Sequence, residues 1–159
     1  MDGLAGGSEP WYARRVDRAD FERLRDFPGK VIRGDIKFVQ RKQMAPAFVA
    51  DGIEIENSSG IALRLNINFN PDASSKTFNV FAVGIGPICR LDVDGPMHRP
   101  VGRSHKHSLQ TERCPERNLP DQVTDRGDLS GKSLDELFGI FCKMAKVEHD
   151  GAFLAPQGS

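Results

Sequence analysis

The chain has 159 residues, with 22 Lys and Arg against 22 Asp and Glu and a sequence pI near 6.9. That balance excludes whole-molecule attraction to nucleic acid or anionic membrane, so binding of that kind requires a local basic patch. Three cysteines, Cys89, Cys114 and Cys142, without C-x-x-C spacing, argue against a disulfide framework or a cysteine zinc site and favour a reducing compartment.

No apolar run approaches the roughly 18 residues of a membrane span, and the Gly-rich start has neither the basic nor the apolar region of a signal peptide. The expectation is a soluble, cytoplasmic protein that makes no membrane contact. Its length suits one domain: residues 11–151, after a flexible lead over 1–10 and before a tail over 152–159.

Asp17 is placed to cap a first helix reaching about Asp26, with Phe21, Leu24 and Phe27 as its apolar stripe and Pro28-Gly29 as its stop. From Lys30 the period turns to alternation. Ile32, Ile36 and Phe38 fall on one face of a strand, and Arg33, Lys37 and Arg41 form a basic row on the other. Phe48, Ile53 and Ile55 mark a second extended piece, with Glu54 and Glu56 available to balance the basic row. Ile61, Leu63, Leu65, Ile67 and Phe69 then alternate strictly with small or polar residues, which predicts a strand with one face in the core and the other wet. Thr77–Ile85 and Ile88–Val93 continue the series. Short turns between consecutive strands make an antiparallel meander of about five strands the economical topology.

After His107 the chain is irregular to about residue 132, a length of loop that often carries function. Ser133-Leu134-Asp135-Glu136 has the S-x-x-E form of a capping box. The helix it opens puts Leu134, Leu137, Phe138, Phe141, Cys142 and Ala145 on one stripe, with Gly151 as terminator. Laid on the sheet with the N-terminal helix, it completes an α+β domain.

Chemistry concentrates between Arg90 and His107, where three of the four histidines, His98, His105 and His107, fall within ten residues. On a strand, residues two apart share a face, so His105 and His107 face the same way. Paired histidines suit phosphodiester cleavage, one removing the 2′-hydroxyl proton and the other protonating the leaving oxygen. With His98 they would also make a three-histidine set suited to a divalent metal such as zinc, and Asp92 and Asp94, two apart, are further oxygen donors. Arg90, Arg99 and Arg103 are candidate phosphate ligands, and residues 99–113 carry a net charge of +3. The plain alternative is that the histidines are hydrogen-bonded into the fold.

His105-x-His107-x4-Glu112 shares the histidine and glutamate spacing of the first cupin motif, but the flanking glycines and the second motif are missing. Over residues 30–148, the order of strands, then Arg90-Leu91-Asp92-x-x-Gly95-Pro96-x-His98, then His105-x-His107 and a closing helix resembles a family of small prokaryotic proteins described as a domain of unknown function. Ser104 stands where that family has Pro, and 109–113 lacks its aromatic and Gly residues. The resemblance implies one histidine-built site and an association with toxin–antitoxin or defence genes, without an established activity.

Three readings are therefore open. The first is a histidine-dependent phosphodiesterase, a ribonuclease of toxin type. In it His105 and His107, joined by His98, are catalytic or metal-binding, and Arg90, Arg99 and Arg103 hold phosphate. The second is a binder of RNA or of a cognate protein through the basic row Arg33, Lys37 and Arg41. The third is a metal-binding protein with the partial cupin-like motif.

Overall fold

The computed structural model describes residues 18–44, 46–95, 102–107 and 123–159. Helix α1 (Arg18–Asp26) leads into β1 (Lys30–Arg33), β2 (Ile36–Lys37) and β3 (Val39–Gln40). Four long strands follow: β4 (Phe48–Ile55), β5 (Leu63–Asn70), β6 (Ser75–Ala82) and β7 (Gly86–Val93). After them come β8 (His105–His107), β9 (Val123–Asp125), helix α2 (Leu134–Ala145), β10 (Val147–Asp150) and β11 (Phe153–Leu154).

The expected meander is present: β3 to β9 pair in sequence order as one antiparallel sheet. It forms because Leu63, Leu65, Ile67 and Phe69 on β5 and Phe78, Val80 and Ala82 on β6 all turn to one face and are at most 3% exposed. Helix α2 covers that face. Its Ser133 hydroxyl accepts from the Glu136 amide, the cap that the S-x-x-E pattern predicts. Leu134, Leu137, Phe138 and Phe141 are buried, and the Phe141 ring stacks on Phe78 with centroids 5.2 Å apart. Each such side chain contributes about 1.5–3 kcal/mol before conformational entropy is set against it. Among the described residues no helix is long and apolar enough to cross a membrane.

Four features depart from the sequence reading. The strand expected over Lys30–Arg41 is broken into three: Gly34 takes φ +92° and redirects the chain between β1 and β2, and a second break at Phe38 separates β2 from β3. Two parallel pairings, β1 with β10 and β2 with β11, add to the antiparallel sheet. They lie on either side of a close approach between Gly34 and Gly151. Helix α2 stops at Lys146, which adopts the left-handed conformation at φ 55°, and not at Gly151. The expected tail at 152–159 joins the fold at its start: Phe153 lies in β11 and stacks on Phe138, centroids 4.3 Å apart and planes within 7°. The proposed lead at 1–10 lies outside the described residues.

Lys30, which the alternation reads as the start of a strand, is 1% exposed. Its Nζ donates to the Leu24 carbonyl at 2.9 Å and to that of Arg25, two of the last carbonyls of α1. A helix end leaves such acceptors unfilled and carries partial negative charge, so a cation buried there has partners. Burial still dominates, and it pulls the ammonium pKa down to about 8.

Candidate functional site on the polar sheet face

The face of the sheet opposite α2 is set by the same alternation. Cross-strand register aligns Asn68, Thr77, Asp92 and His105 in one row over β5–β8. The neighbouring row is Asn66, Asn79, Arg90 and His107. Directly opposed residues share a face at Cβ separations of about 4.5–5.5 Å, so these are contiguous polar rows.

At their β7–β8 end sits a buried ionic cluster. Asp92 is 5% exposed and His105 0%. Thr77 Oγ1 donates to Asp92 Oδ1 at 3.0 Å, and Arg90 donates to the same oxygen through Nε and Nη2, each at 3.3 Å. Asp92 Oδ2 lies 3.3 Å from His105 Nε2. On the other side of the ring, His105 Nδ1 is 3.1 Å from the Gly102 carbonyl oxygen. A carbonyl can only accept, so Nδ1 carries a proton. The other ring nitrogen, Nε2, faces the Asp92 carboxylate. A buried carboxylate held by a hydroxyl and a guanidinium, with an imidazole beside it, satisfies the rule that buried charge is paired.

The alternation predicts that Asp94 joins Asp92 on this face. It does not, because Asp94 takes φ 53° and leaves the strand geometry. Its carboxylate instead accepts from the Ser130 hydroxyl, from the Gly131 amide at 2.9 Å and from the Ser104 hydroxyl at 3.4 Å. It therefore ties the β7 turn to the segment ahead of α2. Burial alone would raise its pKa, but the Gly131 amide, the Ser130 hydroxyl, Lys76 and Ser104 together hold it below the usual carboxylate range.

The predicted site residues therefore divide. Arg90 and His105 meet at Asp92. His107 is placed opposite Arg90 by backbone register, and its side chain lies outside the description. Arg103 is spent on the turn, with Nε on the Gly95 carbonyl at 3.1 Å and Nη2 on that of Asp94 at 3.4 Å. His98, Arg99, Glu112 and Cys114 lie outside the described residues. Among the described residues no three His, Cys, Asp or Glu side chains gather as a metal site would require. The fourth histidine, His149, is elsewhere; its Nε2 is 2.8 Å from the Gly34 carbonyl oxygen, and its ring stands edge-on to Phe138.

The basic row is largely neutralised. Arg33 pairs with Glu56 and with Asp150, the latter at 3.4 Å, and Arg41 pairs with Asp51. Asp35 and Asp51 line the same surface depression as Arg33 and Lys37. Cys89 is buried, and burial pushes the Cys142 thiol up to about 12, the behaviour of inert core cysteines.

Sequence reasoning missed Asn66, Asn68, Thr77 and Asn79 as members of the site. The signal was the repeat of amides two apart on β5, which alternation assigned to a wet face. They are half-buried instead. The chain matches no protein-family model, no curated protein and no solved structure.

Proposed function

We propose that this protein is a histidine-based phosphodiesterase acting on RNA, with His107 as a proton-transferring residue and Arg90 as a phosphate ligand. The observation that carries the reading is the register pair Arg90–His107 beside the buried Asp92–His105 cluster. In the ladder it puts position 107 opposite Arg90, whose guanidinium Asp92 already holds. In this reaction a base takes the 2′-hydroxyl proton and the 2′-oxygen attacks phosphorus. The bond from phosphorus to the 5′-oxygen breaks, and that oxygen takes a proton from an acid. His107 is assigned the base, and His98 is the candidate acid. At 0% exposure His105 cannot touch substrate in this conformation, so it is a positioning residue acting through Asp92 and Arg90. Arg99 remains a proposed phosphate ligand. A zinc-bound variant of the site would rest on His98 and His107.

The toxin-type role implied by the family resemblance, a cytoplasmic location and a cognate protein partner belong to this proposal. They predict that expression slows growth of a bacterial host. Pairing of Arg33 and Arg41 with acids weakens the competing reading of a basic-face binder.

The test is cleavage of a labelled RNA by the purified chain, with chelator and with added zinc. Cleavage lost at least about 100-fold in His107→Ala, with an unchanged melting temperature, supports the assignment. Absence of cleavage by the wild type under both conditions overturns it.

A further inference from the structure

The two strands β10 and β11 form an open border. Each pairs in parallel on one side, β10 with β1 and β11 with β2, and no described strand lies on the other side. The bonds they make fix which way their backbone groups point. The Asp150 carbonyl accepts from the Gly34 amide at 2.8 Å, and the Ala152 carbonyl accepts from the Ile36 amide at 2.9 Å. The Ala152 amide donates to Asp35 Oδ1, also at 2.9 Å. Asp150 and Ala152 therefore face inward. Successive residues of an extended chain turn their amide and carbonyl to opposite sides, so His149, Gly151 and Phe153 present theirs outward. Gly151, Ala152 and Leu154 are exposed, and Leu154 is one of two large apolar side chains left so among the described residues. An open row of donors and acceptors is a template for another strand.

The residues along the border select its partner. Antiparallel pairing sets outward residues against outward residues, which leaves few registers between two copies of the chain. Centred on His149, the pairing would put Glu148 against Asp150 of the second copy. Centred on Asp150, it would put that carboxylate against itself. Centred on Ala152, it would place Ala155, outside β11, opposite His149. Centred on Gly151, all three outward residues find partners: Gly151 meets Gly151, and His149 meets Phe153. Glu148 then stands opposite Leu154 and Asp150 opposite Ala152, so no two carboxylates are directly opposed. The diagonal pair of Asp150 residues is tempered by Arg33, 3.4 Å from Asp150 within each copy. The His149 and Phe153 rings both pack on Phe138, with centroids 5.3 and 4.3 Å from it, so their pairing across the border extends an aromatic cluster already built.

We infer that β10–β11 is a self-association edge: two copies of this chain pair antiparallel about a twofold axis at Gly151 and join their sheets. The edge from Val147 to Leu154 is roughly 25 Å long. A single strand pair of that length falls short of a standard interface, so the dimer forms and dissociates with concentration. The inference is independent of the phosphodiesterase reading, and either can fail without the other.

Sedimentation equilibrium of the full chain from about 1 µM to about 1 mM measures the dimer. Wild type should pass from monomer to dimer across that range. Leu154→Glu opposes Glu148 of the second copy, and Ala152→Asp opposes its Asp150. Each should raise the dissociation constant about fivefold or more, with the far-UV circular dichroism of the fold unchanged. Leu154→Lys should leave the dimer at least as tight, and adding Glu148→Lys to Leu154→Glu should restore it. A chain that stays monomeric throughout overturns the inference, whether or not a foreign strand binds the edge. So does a dimer indifferent to the sign of the charge at positions 152 and 154, because its interface then lies elsewhere.

Discussion

Asp92 and His105 face each other across the β7–β8 pair, Oδ2 to Nε2 at 3.3 Å, both shut away from solvent. The contact makes His105 part of the fold before it is part of any chemistry. Breaking one partner of a buried pair costs about 3–5 kcal/mol. His105→Ala should fall at the lower end, near 3 kcal/mol, because Thr77 and Arg90 still donate to Asp92. The joint replacement His105→Leu with Asp92→Leu should cost less than the sum of the two single replacements, since neither of the two facing groups is left opposite an emptied position. Denaturant unfolding of the three variants measures this; additive losses would contradict the pairing.

Asp94 should behave as a carboxylate clamp. Asp94→Asn keeps a residue that tolerates the left-handed conformation but removes the charge that attracts the Ser130 and Gly131 donors. The expected loss near neutral pH is about 1–2 kcal/mol. The native pKa lies below the unfolded one, so the stabilisation is full above the unfolded value of about 4 and disappears as pH falls through the native value. The stability gap between wild type and Asp94→Asn should therefore narrow below pH of about 4, as urea titrations at several pH values would reveal.

Lys30 moves in the same direction with pH for a different reason, because here the folded state penalises the charged form. Its ammonium pKa is lowered to about 8 from 10.5, so between those values the unfolded chain holds more protons and stability rises with pH. Below pH 8 the penalty for burying the charge is fully present; above 10.5 it is gone. Cys142 pulls the other way above pH 9, because its native thiol keeps a proton that the unfolded chain loses. The comparison that isolates Lys30 is wild type against Lys30→Met. Wild type should gain on the variant by up to about 3 kcal/mol as pH rises from 8 to 10.5, and a constant difference over that range would refute the assignment.

Gly151 should tolerate no side chain. A Cβ added there would overlap the carbonyl of Gly34, and both partners of the clash are backbone. Gly151→Ala must separate β2 from β11 or distort the Gly34 bend, and a loss of about 2–4 kcal/mol is expected. Gly139→Ala, on the exposed side of α2 with open space where the new Cβ would sit, should instead stabilise by roughly 0.5–1 kcal/mol. Parallel thermal melts of the two variants test both statements.

Local patterns were read well where burial on one face decides the structure. Strict alternation over Leu63–Phe69 identifies β5 and its core face, and Ser133 with Glu136 locates the start of α2 to the residue. Patterns failed where a distant segment intervenes. Gly34 bends because Gly151 is packed against it, 117 positions later in the chain. Lys30 is buried because the end of α1 offers it two carbonyls.

The amino-acid sequence alone determined which residues share a face: period two makes Asn66 and Asn68, Arg90 and Asp92, and His105 and His107 co-facial wherever their strands lie. Tertiary structure alone decided who stands opposite whom. Register brought His105 to Asp92 and Asn66 to Asn79, and it buried the histidine that motif spacing had offered as a catalyst. The physical reason is that periodicity is a property of neighbouring residues, whereas cross-strand pairing and burial depend on how the whole core packs.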